Sequence, residues 1–267
     1  MSDDQSTSHM TNNSIPKVIH YCWFGHNPLP PLAEKCIASW HKYMPDYEIK
    51  EWNEDNFDVY MTSYTEEAYR AKKYAYVSDV ARFWILYHHG GVYFDVDVEL
   101  VKPIDDILER GPFMGLEELL DPWLGTTAAV AAGLGMASPP SLPFFGEMLD
   151  FYNNNHFFTP KGKLKETVVL LVTRKLLAKG GYDVDRVSLC ADIYIYPNEY
   201  FNAMSSFSKE ITITPNTRSI HHYAGSWVDK TQGKMGKYTL RAKNFFTMFY
   251  VWNRRRLEAL SRLLGMR

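Results

Sequence analysis

Gly90-Gly91-Val92-Tyr93-Phe94-Asp95-Val96-Asp97-Val98-Glu99-Leu100 is the stretch on which the reading of this chain turns. From Val92 to Leu100 apolar and polar residues alternate, the period of a half-buried strand. Val92, Phe94, Val96, Val98 and Leu100 are predicted to face a core, and Tyr93, Asp95, Asp97 and Glu99 to share the opposite face. Successive carboxylates on such a face stand roughly 6 to 7 Å apart, and at an effective dielectric of about 20 each adjacent pair repels by about 2 to 3 kcal/mol. The row therefore needs a compensating cation or full exposure to water. A hard divalent ion such as Mg²⁺ or Mn²⁺ takes carboxylate oxygens and leaves positions open for phosphate.

Working outward, Ala75 to His89 carries apolar residues at helical spacing and stops at Gly90-Gly91, so a helix delivers the chain into the acidic strand. Upstream, Lys17 to Phe24 reads as a strand closed by Gly25 and a Pro-rich turn. Leu32 to Tyr43 reads as a helix, Tyr47 to Trp52 as a second strand, and Asn53 towards Tyr69 as a polar helix. The order β-α-β-α-α-β predicts an α/β fold with a mostly parallel, Rossmann-like sheet flanked by helices, whose ligands bind beyond the carboxyl ends of the strands. Downstream, Asp121 to Pro143 is rich in Gly, Ala and Pro and is expected to be an irregular segment over one face. Thr167 to Lys179 reads as a helix, and Asp192 to Tyr196 and Ile211 to Thr214 as short strands before His221-His222.

With 267 residues, 46% of them hydrophobic, the chain can bury a large core, which excludes disorder for its bulk. Three cysteines, Cys22, Cys36 and Cys190, lack metal-ligand spacing and imply neither a disulfide framework nor a zinc site; a reducing compartment fits. Residues 1–14 are polar, without the apolar core of a secretory signal, and read as a disordered segment or a tag scar. Residues 15–230 form the expected catalytic domain. Residues 231–267 form a basic tail in which nine Lys and Arg face Glu258 alone. Phe245, Phe249 and Trp252, then Leu257, Leu260 and Leu264, give that tail a helical apolar stripe. It is expected to be a helical C-terminal extension that either lies on an anionic membrane surface or closes the domain.

Asp79 and Arg82, three apart on the helix before the acidic strand, share a face. Such a pair is ordinarily a surface ion pair of little worth; its functional reading is a carboxylate and guanidinium reaching hydroxyls of a bound sugar. Trp23, at the end of the first strand, is either core or a platform for a nucleobase. Of His221 and His222, neighbours on opposite faces of an extended chain, at most one can join a metal.

The ordered set Ile15 to Gly25, Ser39-Trp40, Pro45-Asp46-Tyr47-Glu48, Ser78-Asp79-Val80-Ala81-Arg82, Gly90 to Asp97 and His221-His222-Tyr223-Ala224-Gly225-Ser226-Trp227 resembles glycosyltransferase family 32, over about residues 15 to 230. The resemblance implies a GT-A fold, a nucleotide-sugar donor such as a UDP-hexose or GDP-mannose, Mn²⁺ or Mg²⁺, and transfer with retention of anomeric configuration. It also implies site residues. Asp95 would touch the ribose and sugar side and share the metal with Asp97. Trp23 would stack on the base, while Asp79 and Arg82 bind sugar hydroxyls. His222, before Tyr223, is the preferred metal histidine, and Ser226 and Trp227 belong to a loop that contacts the diphosphate. Glu166 and Thr167 occupy only a loosely similar place to a nucleophile, so that role is left open.

The function expected is hexose transfer to a saccharide or lipid-linked saccharide acceptor in bacterial capsule or lipopolysaccharide synthesis. The place expected is the cytoplasm, at the inner membrane face if the tail binds there; no nucleic-acid partner is expected. Two rivals are a haloacid dehalogenase-like phosphotransferase, with the first Asp as nucleophile, and a non-enzymatic cation-dependent carbohydrate-binding module. The first expects its motif on the first strand of the domain, whereas about ninety residues precede it here. The second needs no nucleotide pocket.

Overall fold

β1 (Val18–Cys22) is the apolar opening run, and the prolines after it start a helix: Pro31 stands at the first position of α1 (Pro31–Tyr43), where its missing N–H costs nothing. The computed structural model describes residues 14–118, 126–160, 162, 167–206 and 208–225. The basic tail 231–267, and with it the expected helical extension, lies outside the described residues. β2 (Glu48–Trp52) pairs parallel to β1. The polar helix expected from Asn53 is confined to α2 (Ser63–Arg70). Ahead of it the Asn53 and Asp58 carbonyl and carboxyl oxygens accept from the N–H groups of Asp55 and Tyr60, each at 2.9 Å, holding the chain in turns. The helix begins only where Thr62 and Thr65 exchange reciprocal capping bonds.

α3 (Tyr74–His89) is a buried helix ending at Gly90, whose φ is +65°. The chain then enters β3 (Gly91–Tyr93), which opens the acidic motif, and here the structure departs from the alternation. The expected nine-residue strand is broken. β3 stops at Tyr93, residues 94–97 turn away, and β4 (Val98–Leu100) pairs instead with β9 (Ser219–His221) in a separate two-stranded sheet. Trp40 of α1 holds this excursion, donating from Nε1 to Val98 O at 2.8 Å and packing on Phe94.

α4 (Asp105–Arg110), β5 (Phe113–Glu118), β6 (Ala128–Ser138), α5 (Pro143–Asn153), α6 (Val168–Ala178), β7 (Ser188–Cys190), β8 (Ile193–Tyr196) and α7 (Asn198–Phe201) complete the order. The main sheet runs β2-β1-β3-β6-β5-β8-β7. Among its seven strands β2, β1, β3, β5 and β8 point one way and only β6 and β7 oppose them, so the sheet is mostly parallel in direction although β6 interrupts it. Residues of β6 alternate between two cores, Val130, Ala132 and Met136 on the side of α3, α5 and α6, and Ala131, Leu134 and Ala137 on the side of α1.

β6 corrects a second expectation, since this Ala- and Gly-rich stretch is a fully buried eleven-residue strand and not an irregular segment. Its small residues answer to packing. A Cβ on Gly135 would meet Phe94 Cε1 at 2.7 Å, and one on Gly133 would collide with Asp95 Oδ2. Intrinsic strand propensity is overridden by the need to let the acidic turn lie against the sheet. The expected strand Ile211 to Thr214 reduces to an isolated bridge between Ile211 and Met204.

Candidate active site

The break after Tyr93 places the acids at the carboxyl end of β3, beside the exit of parallel β1, where open sheets bind ligands. Asp95 is pinned there by its own N–H donating to Gly133 O at 3.1 Å. Its Oδ1 accepts from the Tyr93 hydroxyl at 3.0 Å and pairs with Arg82 Nη2 at 3.2 Å. Arg82 Nη2 also meets Asp79 Oδ1 at 3.1 Å, Arg82 Nε donates to Ser78 O, and the guanidinium lies 5.0 Å from the Tyr93 ring centre. The Asp79/Arg82 pair is thus no surface pair: the two residues are 8% and 4% exposed. Most of the Arg82 donors are engaged with protein, so the residue expected to reach sugar hydroxyls is built to position Asp79 and Asp95. Burial pushes the Asp79 carboxyl up to about 7, with Arg82 opposing and Asp95 reinforcing the rise.

Asp97 belongs to a different pairing. Its Oδ1 lies 3.2 Å from His221 Nε2, its Oδ2 accepts from Ala224 N at 2.8 Å, and its main-chain oxygen accepts from His222 N at 2.9 Å. Burial raises the Asp97 carboxyl, but the imidazole of His221 and the Ala224 N–H outweigh it and hold the group below the usual carboxylate range. Burial likewise opposes charge on His221, and Asp97, with Asp95 and Glu117 behind it, overrides this and raises the imidazole above its ordinary value. Glu99, third in the row, is paired with Lys35 and His222 Nε2, each at 2.7 Å. Each carboxylate of the motif therefore has its own cationic partner, and the predicted single row of mutual repulsion is divided into three pairs.

The histidine expected to join the metal is corrected by this geometry. Asp95, Asp97 and His221 each offer a ligand atom within 4.8 Å of the others, whereas His222 is spent on Glu99. The cause is register: Val98 pairs with His221 and Leu100 with Ser219, which turns His221 to the acids and His222 to the flank. Two carboxylates and an imidazole suit Mn²⁺ or Mg²⁺, and His221 Nδ1 is buried with no hydrogen-bond partner among the described residues. Proton and metal compete for that ring, because a ligating imidazole must be neutral.

Trp23 stands past the end of β1, half-buried, with its Nε1 donating to Asn27 O at 2.6 Å. It borders the same sheet edge as the acids. Ser226, Trp227 and Glu166 lie outside the described residues, and Thr167 caps the start of α6. Sequence reasoning missed two groups. Glu117, on β5, has its carboxyl pushed up to about 7 by burial, with His221 opposing and Asp95 adding to the rise. Tyr223, its ring 4.2 Å from that of His221, donates its hydroxyl to Asn202 Oδ1 at 2.8 Å. No local signal marks Glu117, since Phe113 to Glu118 is an apolar run followed by two acids and shows no alternation that would say which face meets the site.

Comparison with known proteins follows the same residues. Residues 30–114, which contain Asp79, Arg82, Asp95 and Asp97, match the family described as the glycosyltransferase sugar-binding region containing DXD motif. Inositol phosphoceramide mannosyltransferase 1 of Schizosaccharomyces pombe is 31% identical over 111 residues, 38% of this chain and 33% of that protein. An uncharacterized glycosyltransferase of Acanthamoeba polyphaga mimivirus is 30% identical over 105 residues, 37% of this chain and 42% of that protein. The match thus spans less than half the length of these relatives. Among solved structures, the PaToxG glycosyltransferase aligns over 52% of this chain and 60% of its own, with a TM-score of 0.40 and 20% identity.

Proposed function

We propose that this chain, whose residues 30–114 are a DXD-containing glycosyltransferase sugar-binding region of the family 32 type, is a metal-dependent enzyme moving a hexose from a nucleotide-sugar donor to a saccharide or lipid-linked saccharide acceptor. The observation that carries the reading is the meeting of Asp95, Asp97 and His221 at the carboxyl end of β3, backed by the buried Asp79/Arg82 pair. These three residues would hold the divalent cation, whose chemistry when bound is to offset the charge that develops on the departing nucleoside diphosphate. The remaining work belongs to the chain. Arg82 and the Tyr93 hydroxyl fix Asp95 through Oδ1 and leave Oδ2 free for ligand. Asp79, whose carboxyl burial pushes up while Arg82 holds it down, can accept from a sugar hydroxyl, and can donate to one when protonated. Asp79 and Arg82 are buried behind the half-buried Asp95, Asp97 and His221, so one side of the reacting centre is shielded from water, which would otherwise capture the oxocarbenium-like centre.

Retention of configuration is part of the proposal, as the family resemblance implies. The likeness to a fungal inositol phosphoceramide mannosyltransferase supports a mannosyl donor and a lipid acceptor over a bacterial surface polysaccharide. Neither the phosphotransferase nor the stand-alone binding-module reading accounts for a match to a glycosyltransferase's sugar-binding region that contains all four charged residues. A lipid-linked acceptor would place the protein at a membrane face, although no helix among the described residues is long and apolar enough to cross a membrane.

The test is a panel of UDP-glucose, UDP-galactose and GDP-mannose with Mn²⁺, Mg²⁺ or EDTA, reading nucleoside diphosphate release and the anomeric signal of the product by NMR. One donor is expected to turn over, only with metal and with retention. Absence of binding and turnover across the panel would overturn the proposal.

A further inference from the structure

A cavity of about 330 Å³ opens between α3 and α5, away from the acidic cluster. Its volume falls at the lower end of the range of small-molecule sites, about 300 to 1,000 Å³. α3 contributes Trp84, Tyr87 and His88, at i, i+3 and i+4 on one face. At 3.6 residues per turn Trp84 lies about 200° around the helix from Arg82, so the cavity and the acidic cluster occupy opposite sides of α3. α5 contributes Gly146, Asp150 and Asn153. Gly146 allows the two helices to approach, since a Cβ there would sit 3.1 Å from the Tyr87 ring.

Three features of this cavity define a ligand. Its aromatic wall is rigid, because Trp84 is held edge to face against Trp52 at 5.9 Å and Phe57 at 5.6 Å. Its rim combines a carboxylate, an amide and an imidazole, and Asp150 and Asn153 are exposed. The side chains of Asp150 and Asn153 and the Tyr87 hydroxyl have no hydrogen-bond partner among the described residues, which leaves acceptors and donors of both kinds unspent beside an aromatic surface. A flat apolar ligand would use the wall and nothing of the rim, and an anion would meet Asp150. A ring with C–H groups on one face and hydroxyls around its edge satisfies both the wall and the rim.

We propose that the α3/α5 cavity is a saccharide subsite that takes a neutral pyranose unit of the acceptor, remote from the sugar being transferred. The inference rests on the transferase reading for its meaning, but the binding it asserts is measured without donor or metal. The experiment follows the Trp84 indole N–H by NMR, assigned with Trp84→Phe, as the full chain is titrated with methyl mannoside, glucoside and galactoside and the corresponding disaccharides. A saturable shift with at least one probe is expected. It should weaken tenfold or more in the Asp150→Ala/Asn153→Ala variant, whose two positions are exposed and do not support the core, and persist unchanged in Asp97→Asn. No saturable shift, a shift that survives the double substitution, or one that disappears in Asp97→Asn overturns the proposal. A shift that behaves as expected in a protein inactive with every donor sustains this subsite while removing the transferase reading.

Discussion

β3 enters the sheet beside one histidine and sends the chain on to another, and the two imidazoles are held in opposite electrical states. At the entrance His20, 2% exposed, accepts from Trp52 Nε1 at 3.1 Å through Nδ1 and donates from Nε2 to Gly90 O at 3.0 Å. An indole nitrogen can only donate, so Nδ1 must be unprotonated and the ring neutral. Burial drives its pKa down to about 4, with Lys50 and His89 adding to the fall and the Gly90 bond opposing it. At the exit His221 faces Asp97, and the carboxylate holds the ring towards its charged form despite burial. One end spends its histidine on packing and the other keeps a polar atom unspent, His221 Nδ1. The difference separates scaffold from site more sharply than burial does, His20 being 2% exposed and the His221 side chain 14%.

The largest expected effect breaks the exit end. Asp97→Asn removes the carboxylate that meets His221, and donor turnover should fall about 10³-fold or more, roughly 4 kcal/mol of transition-state stabilisation. The variant should still unfold cooperatively, at a midpoint lowered by the loss of the His221–Asp97 pair. Retained turnover under saturating Mn²⁺ would detach Asp97 from the chemistry.

The entrance end is broken by acid. Because the folded-state pKa of His20 is depressed, the unfolded chain binds more protons between about pH 6.5 and 4. The stability that neutral His20 contributes is present above pH 6.5 and is lost as pH falls towards 4, by about 3 kcal/mol in all. Urea midpoints for the parent and His20→Gln, compared from pH 7.5 to 4.5, isolate this slope; parallel curves would show that His20 is not its source. The exit histidine carries the opposite sign. In metal-free protein the His221–Asp97 contribution is complete below pH 6.5 and is lost as pH rises through the raised folded-state value.

A smaller effect sharpens which imidazole belongs to the site. His221→Ala should weaken Mn²⁺ binding about 10- to 100-fold, by calorimetry, while His222→Ala should change it less than about threefold. Equal losses would restore the reading that the sequence favoured. The structure departs from that reading for a physical reason. Motif spacing sets the two histidines at the strand end, but the pairing of Val98 with His221 decides which one turns inward, and register is a tertiary property.

The same divide runs through the fold. The succession β1-α1-β2, the helix ending at Gly90 and the strand ending at Tyr196 are legible because apolar periodicity, Pro31 and the glycine stop act locally. The strand β6 is not, because its Ala and Gly residues are chosen by what lies against them, Phe94 and the Asp95 carboxylate. Asp79, Arg82, Asp95 and Asp97 could be named from spacing, whereas Glu117 reaches the site from β5, a strand that carries no motif. Alternation over Val92 to Leu100 could not show that the chain leaves the sheet after Tyr93, since the side-chain pattern of two short strands joined by a turn is the same as that of one long strand.

The smallest expected effect tests that last point. If Asp95, Asp97 and Glu99 formed one charged row around one ion, Glu99→Gln should cost nearly as much activity as Asp97→Asn. The structure instead gives Glu99 to Lys35, whose side chain is 59% exposed, and to His222. The solvent-facing Lys35 pair contributes about 0.2 to 1 kcal/mol, and a glutamine amide oxygen at this position can still accept from His222 Nε2. Glu99→Gln should therefore leave Mn²⁺ affinity and donor turnover within about threefold of the parent, a free-energy change under about 1 kcal/mol. A loss approaching that of Asp97→Asn would mean that the row acts as a unit after all. In that case the turn at residues 94–97 would have to bring Glu99 to the ligand together with its two neighbours.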